Sequence, residues 1–121
     1  MADLRQPPSI DAYGGGGFRV SGQRVEGSIL ILNDQVLPWP VTALAGLGSG
    51  QIGQVLAAGS REVEFLLLGV GPKIAPPPGE LRQALQAAGM GLEVMDTATA
   101  CRVYNVLAAE GRRLAAALIA I

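Results

Sequence analysis

Residues 63–95 set the tightest limit on what this chain can fold into. Val63 through Val70 is a nearly continuous apolar run, as expected of a central strand covered on both faces. After a proline-rich turn, Leu81, Ala84, Leu85 and Ala88 recur at helical spacing, and Gly89 supplies a stop signal, so a helix is predicted over residues 79–88. Residues 92–95 form the next strand. Strand, helix and strand within about thirty residues make a crossover unit, which forces its two strands parallel and is expected to be right-handed. The chain is therefore predicted to be α/β, with a mixed, mostly parallel central sheet.

The flanking segments fill in the rest. Residues 1–9 are polar and contain Pro7-Pro8, which predicts a flexible N-terminal arm ahead of a single domain over residues 10–121. Phe18-Arg19-Val20 alternates apolar and polar, residues 21–23 supply a turn, and residues 25–32 read as the second strand of an antiparallel hairpin. Asn33-Asp34 gives another turn, and the prolines around residues 36–39 confine that short strand to an edge. A short helix is predicted over residues 50–58, with Ser49 as its cap and Gly59 as its stop. Asp96 or Thr97 caps a stronger helix whose buried stripe is Ala100, Val103, Tyr104 and Leu107 and which Gly111 ends. Residues 112–121 pose a conflict. Ala115 to Ala117 favours helix by propensity, but a short apolar run after a glycine stop fits a buried strand, and the strand is expected.

Composition excludes several function classes. Nine Lys and Arg against ten Asp and Glu give a net charge of −1, and the aromatics are one Trp, two Tyr and two Phe. There is no basic stripe with interleaved aromatics, so nucleic acid is not an expected partner. The absence of histidine removes the commonest general base and metal ligand, so no catalytic residue, metal or cofactor is assigned. Cys101 is the only cysteine, so no internal disulfide is possible. It reads as a packed core residue, the alternative being a thiolate favoured by a helix start. The longest apolar run, residues 114–121, is far shorter than the ~20 residues that span a bilayer, and no secretory signal opens the chain. A cytoplasmic location is the expectation.

The candidate site lies where parallel strands end, because ligands of open α/β sheets collect at the carboxyl edge. Gly69 and Gly71 there permit close backbone approach, successive amides form an anion nest, and Lys73 adds a charge, while Asp96-Thr97 ends the neighbouring strand. The alternative is a plain strand-to-helix turn. Gly14 to Gly17 precedes a strand rather than opening a helix, and so reads as a turn and not a phosphate loop. Arg102, Asn105, Glu110 and Arg112 form a polar set around the last helix, with a local Glu110–Arg113 pair expected.

Tyr13-Gly14 through Phe18, Gly27, Trp39, residues 66–71 and above all residues 95–112 resemble the Mth-type domain family of unknown function. That family includes a mitochondrial assembly factor of respiratory complex I. The set that carries the resemblance is Thr97, Ala100, Tyr104-Asn105, Glu110 and Arg112. Val70 departs from it, since many members carry Thr between the two glycines. The resemblance implies a three-layer fold with a second small sheet at the N-terminus. It implies no established enzymatic activity, and its best-described member works by binding partners. The leading expectation is thus a non-catalytic binding or assembly module with protein partners, which helps to assemble a membrane-associated or respiratory complex. The alternatives are a small-molecule or anion-binding protein or enzyme, with Lys73, Asp96 or Glu110 as its ionisable group, and a homo-oligomer that only presents a surface.

Overall fold

A computed structural model describes residues 6–121; part of the predicted arm, residues 1–5, lies outside the described residues. Eight strands and three helices follow in the order β1 (Ile10–Gly14), β2 (Gly17–Val20), β3 (Gln23–Glu26), β4 (Ile29–Leu32), β5 (Gln35–Pro38), α1 (Gly53–Ala58), β6 (Phe65–Gly69), α2 (Gly79–Ala87), β7 (Gly91–Met95), α3 (Thr97–Ala109) and β8 (Leu114–Leu118). A 3-10 turn over Ser49–Ile52 leads into α1.

β1, β2 and β3 form a three-stranded antiparallel sheet. The other five strands form the central sheet in the order β5-β4-β8-β6-β7. β6 pairs parallel with both β7 and β8, while β4 pairs antiparallel with β5 and β8. The crossover unit read from residues 63–95 is therefore present, with β6 an interior strand of the sheet and β5 on an edge.

The alternation of side chains along a strand divides the core in two. Leu30, Leu66, Leu68, Ala115 and Ala117 face α1 and α2. Ile29, Ile31, Leu67, Ala116 and Leu118 face α3 together with Phe18 and Val20 of the small sheet. Three layers result, with the central sheet between them. β8 shows why the Ala115–Ala117 run is a strand: all three alanines are fully buried, on alternate faces, which an isolated helix at the chain end would not achieve.

The single strand expected over residues 25–32 is a correction. The chain breaks at Gly27-Ser28, so that β3 lies in the small sheet and β4 in the central one. Gly27 has φ 81°, a left-handed conformation that a side chain resists, and the Ser28 hydroxyl accepts from the Ala120 N–H at 2.9 Å. Between β4 and β5, Asn33 and Asp34 both adopt positive φ, 51° and 63°, as a two-residue type I′ turn demands. The Gly14–Gly17 segment is the tip of the β1–β2 hairpin, where Arg24 donates to the Gly14 and Gly15 carbonyls at 3.0 Å each. Trp39, 4% exposed, donates its indole N–H to the Gln51 carbonyl at 2.7 Å and so ties β5 to the 3-10 turn.

Candidate functional site

At the carboxyl edge of β8, β6 and β7, one side chain laces three segments together. Thr97, wholly buried, accepts at Oγ1 from the Gly71 N–H at 3.0 Å and donates to the Ile119 carbonyl at 2.7 Å. Its own N–H donates to the Gly71 carbonyl at 2.8 Å. The Gly71 amide is thereby occupied from within and is not aimed at a ligand, which weakens the anion-nest reading of this turn. Gly69 is small for packing: a Cβ there would lie 3.0 Å from Leu118 Cδ2 and 3.1 Å from Thr97 Cα. Lys73 sits beyond this knot on an exposed segment beside Ile74, which is 68% exposed.

Asp96 is the N-cap of α3. Its carboxylate accepts from the Thr99 N–H at 3.1 Å and from the Thr99 hydroxyl at 2.7 Å, and these bonds hold it below the usual carboxylate range. Glu80, in the first turn of α2, does the same across space. It accepts from both the backbone N–H, at 2.9 Å, and the hydroxyl of Ser49, which lowers its pKa and ties α2 to the 3-10 turn.

Asn105 is also turned inward. Its Oδ1 accepts from the Ile10 N–H and its Nδ2 donates to the Ile10 carbonyl, both at 2.8 Å. The amide thus takes the place of a neighbouring strand and docks β1 onto α3. Arg102 is exposed, with a long 3.5 Å contact from Nη2 to the Thr99 hydroxyl.

Glu110 caps the far end of α3, and Arg112 lies just beyond it. Thirteen residues at 1.5 Å rise put this end about 20 Å from Asp96. Asp96-Thr97 and the Gly69–Lys73 turn therefore lie at one edge of the sheet, and Glu110 and Arg112 at the other. Arg112 pairs with Glu64 at 3.3 Å, and its guanidinium lies 5.4 Å from the centre of the Phe65 ring, within cation–π range. Arg113 donates to the Arg61 carbonyl at 2.6 Å instead of pairing with Glu110.

Two concavities flank Arg112. One, of about 310 Å³, is lined by Asn33, Asp34, Glu62, Tyr104, Arg112 and Arg113. Its carboxylates and guanidiniums balance, so it suits a polar ligand better than an anion. The other, of about 380 Å³, runs between β7 and α3 and is lined by Phe65, Glu93, Met95, Val103, Leu107 and Arg112. Sequence reasoning overlooked Asp34 and Glu93 as lining residues, and placed Tyr104 only in the buried stripe of the helix.

Cys101 is 2% exposed, and burial pushes its thiol up to about 12. The packed reading of this residue holds. Among the described residues, no three His, Cys, Asp or Glu side chains come together to hold a metal, and no helix is long and apolar enough to cross a membrane.

Comparison with known proteins supplies the lineage. An uncharacterised protein of Rhodobacter capsulatus is 42% identical over 110 residues, which cover 91% of this chain and 82% of that protein. The human NADH dehydrogenase [ubiquinone] 1 alpha subcomplex assembly factor 3 is 32% identical over 117 residues, 97% of this chain but only 63% of the factor's length. The solution structure of a Mth938-like domain from Bordetella pertussis superposes with a TM-score of 0.79 at 30% identity, covering 99% of this chain and 92% of that one. The Mth-type resemblance and the three-layer fold it implied are both borne out. A family model described as a protein of unknown function, DUF498/DUF598, matches residues 10–119, and the chain belongs to that family.

Proposed function

We propose that the chain is a binding module that helps to assemble a respiratory complex and does so through protein partners, in the cytoplasm, without catalysing a reaction. The observation that carries this reading is the use made of the polar residues. Thr97 and Asn105 are committed to backbone groups inside the fold, and Asp96 to the start of α3. What remains outward is a surface and not a reaction centre. The likeness to the human assembly factor over nearly the whole chain supports the same reading.

Of the nine residues singled out, Lys73, Arg102, Glu110 and Arg112 are exposed and are assigned to partner contact. Gly69, Gly71, Asp96, Thr97 and Asn105 are assigned to holding that surface in shape. The test is purification of the tagged chain from its native cell under mild conditions, together with native-gel analysis of NADH dehydrogenase in a strain lacking it. Respiratory-complex subunits are expected to co-purify, and the assembled complex to fall in the deletion strain. A bound metabolite with no protein, or a normal complex in the deletion strain, overturns the reading.

A further inference from the structure

β7 ends the five-stranded order, and among the described residues no strand lies on its far side. The direction of its peptide groups follows from its bonds towards β6. The Gly91 N–H donates to the Glu64 carbonyl at 3.0 Å, and the Met95 carbonyl accepts from the Val70 N–H at 2.9 Å. Successive residues of a strand turn their N–H and C=O groups to opposite sides. Gly91, Glu93 and Met95 therefore face β6, and Leu92 and Val94 present two N–H and two C=O groups outward.

The α3 side of the same strand is only partly covered. The groove of about 380 Å³ has Glu93 and Met95 on its floor and Val103 and Leu107 on its wall. Val106, one turn on from Val103, extends that wall and is 58% exposed, more than any other large apolar side chain among the described residues except Ile74. Glu93 is exposed and has no cationic partner among the described residues, while Arg112 at the groove end already engages Glu64.

The opposite edge is guarded differently. β5 ends in Pro38, and Pro40 follows, a device that blocks strand addition. β7 carries no proline. Its single guard is the Glu93 charge, which repels some partners and selects others. Antiparallel pairing of two copies with Leu92 opposite Val94 would set Glu93 against Glu93, which disfavours the chain as its own partner there.

Resting on the assembly reading, we infer that the β7 edge and its groove receive an extended segment of a partner protein, which adds as a sixth strand with a Lys or Arg opposite Glu93 and apolar residues two positions to either side. Backbone bonds to Leu92 and Val94 supply the register, and the apolar side chains lie along Met95, Val103 and Val106.

A displayed library of random twelve-residue peptides, selected against the full chain, tests this. Enriched peptides are expected to carry the pattern apolar–x–Lys/Arg–x–apolar and to bind the wild-type chain at least tenfold more tightly than Val94→Pro or Glu93→Lys. The proline removes an outward N–H together with part of the Val94 packing against the core, and Glu93→Lys, which alters no backbone bond, serves should Val94→Pro fail to fold. No enrichment, enrichment of acidic peptides, or equal affinity for the folded variants overturns the inference. A concentration-dependent dimer in sedimentation that Val94→Pro abolishes also overturns it, in favour of a second copy. If both variants still co-purify the wild-type partners, the docking strand is refuted while the assembly reading stands.

Discussion

Thr97→Val removes one hydroxyl and almost no volume, so its effect isolates the knot at the carboxyl edge. Two hydrogen bonds are lost, from the Gly71 N–H at 3.0 Å and to the Ile119 carbonyl at 2.7 Å. Gly71, Thr97 and Ile119 are all buried, so water does not replace the hydroxyl. A buried backbone group left unpaired costs about 1–3 kcal/mol, and two of them put the loss at about 2–6 kcal/mol. Against a total stability of about 5–15 kcal/mol that is a large fraction. In urea, with a slope of about 2 kcal/mol per molar, the midpoint is expected to fall by roughly 1–3 M with the slope unchanged. Thr97→Ser is the control: it keeps both bonds and deletes one methyl, for a loss of about 1 kcal/mol. Packing as the dominant role of Thr97 predicts the reverse order. A Val variant that unfolds at the wild-type midpoint, or a Ser variant that is weaker than the Val variant, refutes the reasoning.

Asn105→Asp retains an acceptor for the Ile10 N–H but sets a carboxylate oxygen against the Ile10 carbonyl. About 1–3 kcal/mol is expected to be lost, with amide exchange quickened mainly in β1 and β2; uniform quickening would speak against a docking role. Cys101 is expected to stay unlabelled by iodoacetamide in the native protein at pH 8 and to react on unfolding, since its thiol is neutral until about pH 12; labelling at the rate of a free thiol contradicts this. Glu80 and Asp96 both have pKa values below those of the unfolded chain, so the unfolded state binds more protons as pH falls. Their stabilisation is complete above the unfolded value of about 4 and is lost as the pH drops through the folded values. Glu80→Gln and Asp96→Asn are expected to flatten the acid limb of a stability profile, and an unchanged limb in the double variant rejects that assignment.

The parts of the fold legible in the sequence are those where one face or one run decides the structure. The apolar run that became β6 could only be covered on both sides, and the periodicity of α2 and α3 left one register each. The break at Gly27-Ser28 was not legible, because a lone Gly-Ser between strand-forming residues also fits a bulge within one strand, and only the exchange of sheet partners separates β3 from β4. The candidate site shows the same division. Thr97 and Asn105 stood out as polar residues on a buried helix, but their partners lie 22 and 95 residues away in sequence, at Ile119 and Ile10. A local pattern does not reveal whether such a group turns to a ligand or to distant backbone. Glu110 and Arg112 lie at the far end of α3 from Asp96, at the opposite edge of the sheet, which the spacing along one helix already implies.

The two flanks of α3 are used in opposite ways, and this separates stability from binding. Asn105 commits one flank to the small sheet through two backbone bonds. The other flank carries Val103, Val106 and Leu107 towards the partly covered face of β7. An exposed Val106 contributes little to the core, so Val106→Asp is expected to leave the stability within about 0.5 kcal/mol of wild type, as surface substitutions usually do. The same change sets a charge where the partner's apolar side chains would lie, so partner binding is expected to weaken at least tenfold. Asn105→Asp should show the converse, a lowered midpoint with partner affinity retained under conditions where the chain stays folded. If Val106→Asp lowered stability as far as Asn105→Asp does, that flank would belong to the core, and the open face of α3 would have no claim to a partner.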